Sequence, residues 1–133
     1  MSAGRCVVRV VHSWIANSNE WDGLWEGVEK GWYGFFSILR LKLEHFRGQL
    51  SAAFDTSGLS NGSEQEAWEA VTSPLGLANA TEGQEVRSRP DVPALSGKVE
   101  MADHGDEKHV MLVVGEPGTG LCHLFLIPMG KQI

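Results

Sequence analysis

Residues 20–47, EWDGLWEGVEKGWYGFFSILRLKLEHFR, carry Trp21, Trp25, Val28, Trp32, Phe35, Phe36, Leu39, Leu43 and Phe46 at steps of three and four. On a helix of 3.6 residues per turn these side chains share one stripe. Each ring buries roughly 150–250 Å² when packed, so the stripe predicts a large apolar partner surface. The expectation is a long helix within 20–47 that lies against the core. It is best supported from Lys30 to Phe46, where Ile38 to Glu44 reads as helix-forming and Gly48 supplies a stop. Gly23, Gly27, Gly31 and Gly34 recur away from the stripe, each costing about 1 kcal/mol relative to Ala, so the first two turns read as a separable short helix. Glu20, Asp22, Glu26 and Glu29 gather at the start and Arg40, Lys42 and Arg47 at the end, which complements the helix dipole.

Outward from this helix the pattern changes to strands. Before it, Cys6 to Val11 is rich in β-branched residues and predicts a strand over 5–14, closed by Asn17-Ser18-Asn19. After it, 50–56 predicts a second strand, and Ser60-Asn61-Gly62 a turn. Ser63 and Glu66 have capping-box spacing, and Pro74 supplies a stop, so a short helix is expected over 64–72. Residues 75–95 hold Pro90 and Pro93 and read as irregular, with an edge strand at 84–87. Strands at 97–102, 109–114 and 121–127, separated by short turn sequences, have the spacing of an antiparallel meander.

The 133 residues are expected to form a single domain, built from 1–48 and 50–133. A content of 42% hydrophobic and 21% charged residues is that of a globular chain rather than a disordered one. The apolar runs are too short to span a bilayer and residues 1–9 form no signal-peptide core, so no membrane is expected as a partner and the expected location is cytoplasmic. A net charge of −6, with the eleven basic residues scattered, argues against nucleic acid as a partner. Cys6 and Cys122 sit in apolar runs and read as free thiols acting as small hydrophobes.

No catalytic motif is spelled out. Gly115-Glu116-Pro117-Gly118-Thr119-Gly120 comes after a strand as a phosphate loop does. Leu121 and Cys122 then stand where Lys and Ser or Thr would have to meet phosphate and metal, so a glycine-rich hairpin loop is the better reading. The histidines His12, His45, His104, His109 and His123 have no tight metal-ligand spacing, and neither a metal nor a cofactor is expected. His109 and His123 fall where two paired strands would bring them face to face. Asp103, His104, Asp106 and His109 form the densest titratable group and read as a solvated turn.

Residues 9–48, RVVHSWIANSNEWDGLWEGVEKGWYGFFSILRLKLEHFRG, resemble the carboxy-terminal strand and long helix of SRPBCC (START-like, helix-grip) proteins. The resemblance is to the branch of activators of a heat-shock chaperone ATPase and of polyketide-cyclase-like proteins. It lies in Trp21-Asp22, Gly31-Trp32 and Phe35 to Glu44 ending in Gly48. Residues 62–77, GSEQEAWEAVTSPLGL, resemble the early part of the same domain, in reversed order along the chain. The resemblance implies a helix-grip-like α+β fold: a curved antiparallel sheet of five to six strands on one long helix, plus a short helix, enclosing a cavity for apolar ligands. The expected function is therefore non-catalytic binding of a small hydrophobic molecule. Its walls would be Trp32, Phe36, Leu39, Phe54, Trp68, Met101, Met111 and Phe125, with His109, His123 or Tyr33 orienting the ligand. A cyclase or aromatase in the same cavity, a protein-interaction module, and a homodimeric remnant without the ancestral function are the alternatives.

Overall fold

The structure, a computed structural model, describes residues 4, 7–13, 15, 17–19, 22–104 and 107–128, and the side chains among them except those of 22–27, 104 and 107. Expectations that rest on Cys6, Trp14, Trp21 and Asp106 lie outside this set. The chain divides into two compact units, Met1–Ser37 and Ile38–Ile133.

Among the described residues the fold is α+β, with two helices and a four-stranded antiparallel sheet. Helix α1 spans Asp22–His45 without the expected break, so its glycines are accommodated inside one helix. Gly48, at φ +75°, takes the left-handed conformation that closes helices and that glycine adopts without a Cβ clash. Helix α2 spans Glu64–Thr72 and begins in the capping box expected from Ser63 and Glu66. The Ser63 hydroxyl accepts from the Glu66 backbone N–H at 3.2 Å, and the Glu66 carboxylate accepts from the Ser63 N–H at 2.8 Å. The Ser63 N–H, and next the Ser63 hydroxyl at 2.9 Å, donate to the ionised Glu66 carboxylate and hold it below its ordinary range.

Strands β1 (Glu85–Arg87), β2 (Ser96–His104), β3 (Glu107–Glu116) and β4 (Gly120–Phe125) lie in the order β1-β2-β3-β4. The glycine-rich segment after β3 leads into antiparallel β4, with Val114 opposite Gly120, and not into a helix. At the end of β3, Glu116 accepts from Arg87 at 2.8 Å and from Ser96 at 2.9 Å, tying β1, β2 and β3 together.

Alternation along these strands sorts the second unit into two apolar layers. On one face Leu77, Val86, Val99, Val110, Leu112 and Val114 are buried beneath Trp68 of α2 and Leu75 just beyond it. On the other, Leu41 and Ile38 of α1 pack on Met101, Met111, Val113 and Leu121. Between Val99 and Met101 the β2–β3 register slips by one residue, leaving Glu100 as an extra residue in a bulge. Its carboxylate stands 3.8 Å from His45 at the end of α1.

Three expectations are corrected by this arrangement. Among the described residues the sheet has four strands, not five or six. Residues 7–13 form no strand, and Val7, Val8, Val10 and Val11 are exposed. Residues 50–56 form none either, with Leu50 and Phe54 almost fully exposed. β propensity measures how well side chains fit a pleated neighbour, and neither segment is paired in the sheet. The third correction concerns the aromatic stripe. Leu39 and Leu43 stand two residues from Leu41, about 200° around the helix, so they point away from the sheet that Leu41 packs on. They are 40% and 49% exposed. The aliphatic side of α1, Ile38 and Leu41, meets the methionines, and of the stripe Phe46 is buried.

Candidate functional site

Within the first unit, Val10, His12, Val28, Glu29, Trp32 and Phe36 line a half-open groove of about 260 Å³. The helical step of four from Val28 to Trp32 to Phe36 makes one wall continuous along α1. Residues 10 and 12 supply the other wall. Trp32 lies at the centre of a ring cluster: His12 meets it edge-on at 6.1 Å, Phe36 is tilted against it at 5.8 Å, and Phe35 at 6.0 Å. Such geometries add about 0.5–1.5 kcal/mol per pair to area burial, so the wall is a set of mutually supported rings. Apart from Glu29 and His12 the lining is apolar.

The volume sets what the groove can hold. Drug-sized ligands occupy pockets of about 300–1,000 Å³, and a dry cavity of about 150 Å³ takes benzene. A molecule of one or two rings therefore fits, and a polycyclic one would protrude.

The ten residues expected to line a ligand cavity are distributed over separate places. Trp32 and Phe36 line the groove. Leu39 is partly exposed on the side of α1 opposite Leu41, and Phe54 is 95% exposed. Trp68 belongs to the apolar layer under α2. Met101 and Met111 are buried against Leu41 and Ile38, so this volume is filled by side chains. His109, His123 and Phe125 continue the same sheet face. The histidine rings are perpendicular with centroids 5.6 Å apart, and Phe125 lies 4.9 Å from His123. Tyr33 is 42% exposed, and its carbonyl accepts from Ser37 at 2.9 Å. Val28 is legible as the turn of the stripe preceding Trp32. Glu29 reads only as part of the acidic start of α1, and Val10 and His12 are not legible, because nothing in a short β-branched segment signals that it flanks a helix.

One thiol and one imidazole are displaced from ordinary behaviour. Burial pushes the Cys122 thiol up, in keeping with a half-buried free cysteine that packs as a hydrophobe. Burial, and next the neighbouring His109, pushes His123 down. Asp103 of the expected titratable turn is exposed and stands 3.7 Å from the Lys108 ammonium. No group of three or more His, Cys, Asp or Glu side chains with metal-holding geometry occurs among the described residues. No helix among them is long and apolar enough to cross a membrane.

Comparison with family models, with curated proteins and with solved structures gives no match.

Proposed function

We propose that this protein binds a small, apolar, ring-bearing molecule without transforming it, in the groove beside Trp32. The observation that carries the reading is the composition of that groove. Four apolar side chains, including the centre of a ring cluster, stand with one imidazole and one carboxylate, the balance of apolar surface and few polar groups that ligand sites use. Trp32 and Phe36 supply contact area, while His12 and Glu29 orient a polar substituent. The resemblance to helix-grip proteins supports the same ligand class, and the reading assigns the protein to a cytoplasmic role of capture or carriage.

Titration with a naphthalene-type fluorescent probe tests it. Wild-type protein should bind the probe at one site, and Trp32→Ala should weaken binding at least tenfold, since truncating a ring at the centre of a contact costs about 2 kcal/mol or more. Equal affinity in the variant would remove the groove from consideration.

The exposed side of α1 favours a second reading, self-association. Phe35, Leu39 and Leu43 recur at steps of four and are 66%, 40% and 49% exposed, which is costly for isolated rings and leucines. Antiparallel pairing of two copies through this patch sets Phe35 of one opposite Leu43 of the other. Light scattering should then show a mass that rises with concentration in wild type and stays monomeric in Phe35→Ser. A monomer at all concentrations would discard this reading.

A further inference from the structure

The sheet face beyond Leu41 carries an unusual donor set. Met111 on β3 is fully buried, and its direct cross-strand partner on β4 is His123. Met101 on β2 pairs with Met111 from the other side. His109, two residues from Met111 and therefore on the same face of β3, is 6% exposed. Two imidazoles and two thioethers thus converge on one patch of one sheet. The Nε2 atoms of both histidines are shielded from solvent, and that of His123 has no hydrogen-bond partner among the described residues. A shielded imidazole nitrogen without a partner is an uncommon feature that calls for an occupant.

The spacing of the rings is compatible with a shared metal ion. A metal about 2.0–2.1 Å from each of two imidazole nitrogens lies roughly 3.1–3.2 Å from each ring centroid. Two such rings in trigonal coordination then have centroids about 5.5 Å apart, and the observed separation is 5.6 Å. Thioether sulfur is a soft ligand that selects cuprous copper, and imidazole suits the same ion, whereas calcium and magnesium require oxygen donors. We propose that His109, His123 and Met111 hold one cuprous ion, with Met101 as the adjacent second sulfur. Cys122 is not a ligand, because it packs with the apolar layer on the opposite face of the sheet.

The experiment is anaerobic competition of the full chain with a chromophoric cuprous chelator, using ascorbate-reduced copper as the probe. Wild type should retain one cuprous ion per chain. Met111→Leu, which preserves volume, and His123→Asn should each lose at least tenfold in affinity, while Cys6→Ser/Cys122→Ser should retain the ion. Melting curves of the metal-free proteins verify that each variant is folded. Copper should raise the melting temperature of wild type and of the cysteine variant, and leave Met111→Leu nearly unmoved. Complete loss of copper from wild type to the chelator would overturn the proposal. So would loss in the cysteine variant, or undiminished affinity in Met111→Leu and His123→Asn.

Discussion

Gly97→Ala should destabilise the protein by about 3 kcal/mol, the upper part of the range for overpacking, read as a lowered denaturant midpoint. A Cβ built at Gly97 would lie 2.3 Å from the Val113 carbonyl oxygen and 2.8 Å from the Val114 Cα. Both obstacles are backbone of the neighbouring strand, so relief requires β2 and β3 to separate. Gly97 pairs with Val114 on one side and Val86 on the other, which makes it interior to the sheet. A strand interior normally disfavours glycine, and here the close approach of another backbone accounts for it. Gly115→Ala is the control, because its Cβ meets nothing within 4 Å. Equal midpoints for the two variants would show that β2 and β3 do not approach so closely.

Leu41→Ala should cost about 2–5 kcal/mol, whereas Leu43→Ala should cost well under 1 kcal/mol. Leu41 is fully buried between Ile38 and the two methionines, so its truncation leaves a cavity that a rigid helix-on-sheet contact only partly closes. Leu43 is half exposed and loses little surface on truncation. The contrast is informative because periodicity ranks the two residues the other way, with Leu43 in the stripe and Leu41 outside it. A larger loss for Leu43→Ala would place the stripe in the core after all.

That reversal marks where the sequence ceases to be legible. Local signals are sound: the capping box at Ser63 and Glu66, the stop at Gly48, and the meander over β2, β3 and β4 are each set by nearby residues. The segments 5–14 and 50–56 fail as strands, within the described residues, because strand formation depends on a neighbour that composition does not reveal. The helix face fails for a related reason. A hydrophobic stripe says that a surface needs covering without saying by what, and a helix with aliphatic residues on its other side has two candidate faces. The candidate site divides similarly. Trp32 and Phe36 emerge from spacing, and the nearness of His109 and His123 from strand pairing. The partners of Trp32 on residues 10–12 are non-local and leave no trace in a linear pattern.

The bulge at Glu100 has a consequence for how this chain can vary in length. Val99 pairs with Leu112 and Met101 with the very next residue, Met111, so removing Glu100 leaves every pairing on both sides of it in place. Elsewhere in a strand, loss of one residue turns each later side chain to the wrong face. At this position β2 holds a spare link: one residue can be dropped with the two methionines still abreast, and what is given up is the carboxylate beside His45.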